Sequence, residues 1–394
     1  MDLEAIQSAL ERAGVDGWLF CDFHTRDRLA YRILGLDAAN MTTRRWFYFI
    51  PRSGEPIKLA HRVEPRKLDP LPGQARFYLA HTELRERLRE ILAERRRVAM
   101  QYSPMNNIPY VAIVDAGTVE LVRSFGVEVV SSADLVQEFE AVTGEEGFAS
   151  HCAAGDGVHR VKDEAFRGMD EALRKGQHIT EYDVREFILG AFDDAGLTAD
   201  GDVPIVAFNE HAADPHFEPT QTNAKTLHHG DTILVDLWAR RNEPGAVYYD
   251  ITWCGFAGQT PPPQYVQIWD VARKARDAGL ALVERRFAER QPCHGYEVDD
   301  AVRAVVTQGG FGSAFVHRTG HSIGTARVHG NGANIDNLET KDERLLVPGT
   351  CFSIEPGIYL EGRMAVRAEI DVFVRPSGEV VVHGPIQQDL IRIG

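Results

Sequence analysis

The stretch ILVDLWARRNEPGAVYYDIT, Ile233 to Thr252, limits what this chain can fold into more than any other, because it sets two carboxylates in sequence built for a sheet. Ile233, Leu234 and Val235 lead into Asp236, and Tyr248, Tyr249, Ile251 and Trp253 surround Asp250, so both acids sit among strand-favouring residues. Pro244 and Gly245 supply the turn. A turn centred on Glu243 makes the aspartates directly opposed cross-strand neighbours, with Cβ atoms roughly 4.5 to 5.5 Å apart. Opposed like charges destabilise a sheet, so the pair calls for a shared proton, a basic partner or a cation. The alternative is a polar pair facing water on a sheet edge.

The 394 residues, 44% hydrophobic, suffice for two domains and a sizeable core. A formal charge of −15 argues against a nucleic-acid partner, which would ask for a basic face. The start, MDLEAIQSAL, lacks a basic then apolar leader, and no segment offers the roughly 18 consecutive apolar residues of a membrane span, so a cytoplasmic protein without membrane contact is expected. Cys21, Cys152, Cys254, Cys293 and Cys351 are scattered and form no C-x-x-C pair, which suggests buried free thiols rather than disulfides or a thiolate zinc site.

Residues 1–150 read as a smaller α/β domain: a helix from Leu3 to Ala13, strands GWLFCDF, WFYFIP, RVAMQY and VEVV, and a charged helix over 82–96 with Leu84, Leu88, Ile91 and Leu92 facing inward. No catalytic constellation is found there, and packing or oligomerisation is its expected role. Residues 151–394 open with two helices, the first closed by Gly176 and the second capped by Thr180 with Asp183. Strand-like runs follow, VPIVAF, the aspartate hairpin, FVHRTGHSIG, GTCFSIEPGIYL and AVRAEIDVFV, with one more helix over 264–288. The fold class is therefore α+β, the second domain having a mainly antiparallel sheet.

Three further groups lie in this second domain: His321, Glu355 and Glu369. Glu355 is flanked by Phe352, Ile354, Ile358 and Tyr359, where a lone carboxylate would be costly. Period-two alternation sends Arg367, Glu369 and Asp371 to one face and Val366, Ala368, Ile370 and Val372 to the other. A structural salt bridge to Arg367 explains any one of these acids singly. Four carboxylates and an imidazole together instead suit one or two divalent cations of the manganese, cobalt or zinc kind. Such a pair could polarise a carbonyl and activate a bridging hydroxide, which makes a hydrolase the natural expectation.

Asp236, Asp250, HSIG from His321, IEPG around Glu355 and VRAEID around Glu369 resemble the ordered Asp, Asp, His, Glu, Glu ligand set of the pita-bread metallopeptidases, which include methionine aminopeptidase, aminopeptidase P and prolidase. The resemblance implies a pita-bread catalytic domain holding two divalent ions, manganese foremost. By it, Asp236 and Glu369 resemble bridging or bidentate ligands, His321 and Glu355 share one metal, and Glu355 carries the proton from water to leaving amine. It also makes His216 a substrate-side residue, His317 a contact to the tetrahedral oxyanion and His329 a contact to substrate and leaving proline. Arg367 is expected to meet a substrate carboxylate or to brace Asp371.

A separate first domain sets the chain apart from the short methionine aminopeptidases and resembles the creatinase and prolidase arrangement. The resemblance implies hydrolysis before proline in Xaa-Pro dipeptides, by a homodimer. Cleavage of longer Xaa-Pro peptides, as by aminopeptidase P, is the alternative, and a metal-free relative such as creatinase or a peptide-binding module is a third.

Overall fold

The computed structural model describes residues 1–40 and 42–394, which separate into two compact units, 1–139 and 140–394. The first unit contains α1 (Leu3–Arg12), β1 (Gly17–Asp22), α2 (Arg28–Leu34), β2 (Trp46–Pro51), β3 (Ile57–His61), β4 (Gln74–Tyr78), α3 (His81–Ile91), β5 (Arg97–Met100), α4 (Ala116–Arg123), β6 (Glu128–Ser131) and α5 (Ala133–Glu140). Its mixed sheet has the order β4-β3-β2-β1-β5-β6. Alternation divides each central strand between two cores: Trp18, Phe20, Trp46 and Tyr48 pack with α1 and α2, while Leu19, Phe47 and Phe49 pack with α3 and α4. A sheet covered on both faces is why WFYFIP reads as one unbroken apolar run.

The second unit begins with α6 (Gly144–Lys175) and α7 (Glu181–Asp194). Gly176 ends α6 in the left-handed conformation, φ 62°, and Thr180 and Asp183 cap α7 reciprocally. Then come β7 (Leu197–Thr198), β8 (Ile205–Phe208), β9 (Thr232–Arg241), β10 (Tyr249–Ala257), α8 (Pro263–Ala288), α9 (Gly295–Gln308), β11 (Thr350–Ile354), β12 (Gly357–Leu360), β13 (Met364–Arg367), β14 (Ile370–Val374), β15 (Val380–Val381) and β16 (Ile391–Ile393). Pairing is antiparallel throughout this unit except between β10 and β16.

Odd-numbered β9 residues Ile233, Val235, Leu237 and Ala239 pack with Val158, Val161 and Phe166 of α6 and Ile188 of α7. The opposite face carries Leu234, Cys254 and Phe256 into a core shared with α8, α9 and β11–β14. Asp236 and Asp250 lie on that opposite face, inside the unit rather than on an exposed edge. Alternation in AVRAEIDVFV is as expected, since Val366, Ala368, Ile370 and Val372 all enter the α8–α9 core.

Two expectations fail. The aspartates are not directly opposed: Asp236 faces Thr252 and Asp250 faces Trp238, making the acids diagonal neighbours. The hairpin is asymmetric: its register is centred on Pro244 rather than Glu243, and β9 runs past its last β10 partner, Ala239, to Arg240 and Arg241, which pair with Thr198 and Leu197 of β7 on the strand's other edge. FVHRTGHSIG is not a regular strand either. It lies beside β11 through Ser353 N to His321 O and Ile323 N to Cys351 O, both 2.8 Å, and Glu355 N to Thr319 O at 2.7 Å. A Cβ on Gly320 would stand 2.0 Å from Ser353 O, so only glycine permits this approach. The helix α9, not anticipated, has a legible apolar series in Val298, Val302 and Val306.

Candidate metal centre

Two strands, one loop and two links between strands bring the five predicted ligands together. β9 supplies Asp236, β10 Asp250, the loop beside β11 His321, the link from β11 to β12 Glu355, and the link from β13 to β14 Glu369. All five are buried. Ligand atoms of Asp250, His321 and Glu369 lie within 4.8 Å of one another. His321 Nε2 is 3.5 Å from Asp250 Oδ2 and 3.6 Å from Glu355 Oε1. His321 Nδ1 stands 3.1 Å from Ser322 O, a carbonyl that can only accept. The proton is therefore on Nδ1, and the Nε2 lone pair faces the carboxylates, the tautomer a metal ligand needs.

Asp236 joins through Arg367 and Thr252. The Arg367 guanidinium bonds Asp236 Oδ2, and its Nε donates to Thr252 Oγ1 at 2.8 Å. Thr252 in turn donates to Glu369 Oε2 at 2.5 Å. The same Nε is 3.8 Å from Glu355 and 4.0 Å from Glu369. Sequence reasoning missed Thr252, although two-residue alternation from Asp250 would have put it on the acidic face.

Three buried carboxylates, Asp236, Glu355 and Glu369, thus share one guanidinium, and Asp250 lies beside them without it. Burial, followed by neighbouring negative charge, pushes Asp250 and Glu369 well above the ordinary carboxylate range. Burial likewise raises Glu355 to about 7, against the pull of Arg367, and drives His321 well below its usual value. Asp250 Oδ1 is buried without a hydrogen-bond partner among the described residues. An excess of buried negative charge with an orphaned oxygen is what divalent cations offset, so the donor set fits oxygen-preferring ions.

Arg367 departs from its expected place. It does not brace Asp371, which instead accepts a 2.7 Å hydrogen bond from Asp250 N through Oδ2. Its guanidinium is committed to Asp236, Thr252 and, at 3.4 Å, the Tyr359 hydroxyl. The attraction of Asp236, Tyr359, Glu355 and Glu369 decides this against the cost of burying the charge.

The other histidines gather around this centre to different degrees. His317 Nδ1 donates to Arg318 O at 2.6 Å, so Nε2 is the acceptor of the Tyr359 hydroxyl at 2.9 Å. Burial and the charge of Arg367 lower its pKa to about 3. His329 is exposed, with its ring 4.1 Å from that of His321. His216 is also exposed, and its charge acts on both Asp236 and His329. Tyr359 and Arg318 went unnoticed in the sequence; the charge of Arg318 bears on His317, His321, His329 and Glu355.

Residues 156–376 match Metallopeptidase family M24. The probable dipeptidase PepE of Mycobacterium bovis is 30% identical over 263 residues, 67% of this chain and 64% of that protein. The Xaa-Pro dipeptidase of Lactobacillus helveticus is 30% identical over 54% of this chain and 53% of its own length. The crystal structure of dipeptidase PepE from Mycobacterium ulcerans superposes with a TM-score of 0.69 at 24% identity, covering 99% of this chain and 96% of that one. The fold is accordingly the expected α+β pita-bread arrangement. With a matched segment that runs from α6 to just past β14 and contains all five clustered ligands, the chain belongs to metallopeptidase family M24.

Proposed function

We propose that this chain is a metal-dependent peptidase that hydrolyses the bond before proline in Xaa-Pro dipeptides. The observation that carries this is the convergence of Asp250, His321 and Glu369 within 4.8 Å, with Asp236 and Glu355 tied to them through Arg367, Thr252 and His321. Asp236, Asp250, His321, Glu355 and Glu369 would hold two divalent ions, manganese first, with cobalt or zinc accepted by the same donors. When bound, such ions polarise the scissile carbonyl and make a water acidic enough to attack it.

The chain's own groups do the rest. Glu355 moves the proton from the attacking water to the leaving nitrogen of proline. Arg367 holds Asp236 in place, and Thr252 holds Glu369. His317 is assigned to the tetrahedral oxyanion, a role that takes its proton on Nε2 rather than on the Nδ1 beside Arg318 O, and His329 and His216 are assigned to substrate on the exposed side. Arg318, whose charge bears on His317, His321, His329 and Glu355, is the cation we assign to the free carboxylate of a dipeptide. The dipeptidase names of two relatives support the shorter substrate. A homodimeric, cytoplasmic enzyme completes the proposal.

The test is metal content together with proline release from Ala-Pro, before and after Asp236→Asn. Bound divalent ion and manganese-dependent release, both lost in the variant, are expected. Purified protein without divalent ion that leaves Ala-Pro intact after manganese loading would end the hydrolase proposal. Faster turnover of Ala-Pro-Ala than of Ala-Pro would transfer it to aminopeptidase P activity.

A further inference from the structure

The backbone of Asp250 leads to a second group of buried side chains that peptide hydrolysis does not use. Its N–H donates to Asp371 Oδ2. Asp371 on β14, Cys351 on β11 and His151 on α6 each offer a ligand atom, all within 4.8 Å of one another. The three are 0%, 2% and 0% exposed. We propose that His151, Cys351 and Asp371 form a second cation site, for a thiophilic divalent ion such as zinc, separate from the carboxylate centre.

Four observations support this site. His151 Nδ1 donates to Tyr248 O at 2.7 Å, which fixes the tautomer and leaves Nε2 as a lone pair. Both ring nitrogens, the lone-pair Nε2 included, are 3.9 Å from Cys351 Sγ, close to the roughly 3.5 Å that separates imidazole and thiolate donors on one tetrahedral ion. Asp371 Oδ1 is buried with no hydrogen-bond partner among the described residues, so one oxygen serves Asp250 and the other is available. Finally, the donors differ in kind from the first centre: one sulfur, one nitrogen and one oxygen suit zinc or cobalt, whereas four carboxylates and an imidazole suit manganese.

Charge balance favours the same assignment. Binding replaces the Cys351 S–H bond with a bond from sulfur to the ion and releases that proton to solvent. The resulting thiolate and carboxylate together neutralise a divalent ion, leaving no net charge in a dry interior. Such an ion would join the long helix α6 to two strands and fix Asp371 behind the backbone of Asp250, a structural rather than catalytic role.

Cobalt(II) added to the metal-depleted full chain tests the site, because the carboxylate centre has no sulfur. Near-ultraviolet thiolate-to-cobalt absorption is expected, saturating at one cobalt per chain and absent from Cys351→Ser. Asp371→Asn, which can still accept from Asp250 N, should weaken cobalt binding at this band roughly tenfold or more and serves if Cys351→Ser does not fold. Asp236→Asn should keep the band while losing the carboxylate centre, so the two proposals fail separately. No band at saturating cobalt, a band that survives Cys351→Ser, or an unchanged midpoint in Asp371→Asn would overturn the second site.

Discussion

At the scale of single residues, the hydroxyl of Thr252 does more than its size suggests. It accepts from Arg367 and donates to Glu369, so it links the Arg367 guanidinium to one of the clustered acids. Thr252→Val keeps the shape and strands both partners, and a buried polar group left without its bond costs about 1–3 kcal/mol. Lower thermal stability and a roughly tenfold fall in kcat/KM on Ala-Pro are the expected outcomes, read by melting and steady-state kinetics. Arg318→Met should raise KM for Ala-Pro roughly tenfold, the worth of a charge-assisted carboxylate contact, while changing KM for Ala-Pro-Ala much less. The clustered acids were legible because carboxylates in apolar strands are expensive and therefore informative. Thr252, Tyr359 and Arg318 were not, since a threonine or tyrosine in a strand and an arginine in a loop have ordinary explanations.

At the scale of elements, α6 carries two buried histidines against β10. His151 bonds Tyr248 O, and His159 Nε2 stands 2.9 Å from the Tyr249 hydroxyl. Burial holds both near a pKa of about 4, with Lys162 adding to the effect at His159. For a base whose pKa falls on folding, the unfolded chain binds the extra proton. Stability is therefore complete above the ordinary value of 6.5 and is lost as pH falls through about 4. His159→Gln should flatten that loss, seen as a smaller fall in Tm across the same window. Periodicity revealed α6, α7 and β2 because one face or one layer fixed each pattern. It failed for FVHRTGHSIG, whose pairing with β11 depends on the closeness glycine allows, and for the hairpin register, which is centred on Pro244 rather than Glu243.

At the scale of the whole molecule, the first unit has its own two-faced core and none of the five clustered ligands. Ions that bind only the folded second unit stabilise only that unit. Calorimetry of the full chain is expected to show two transitions, of which chelation lowers the one belonging to residues 140–394 and manganese restores it; a single transition that chelation leaves in place contradicts this. The expected division near residue 150 lies inside α6, whereas the compact units divide at 139–140, because the acidic stretch after Ser132 carries no pattern that marks where α6 begins. The asymmetric hairpin has a separate consequence for engineering. The exposed turn residues 242–245 can be lengthened or replaced by a reporter peptide, because the pairs Asp236–Thr252 and Asp250–Trp238 lie outside them and the buried Ala246, Val247 and Tyr248 stay in place.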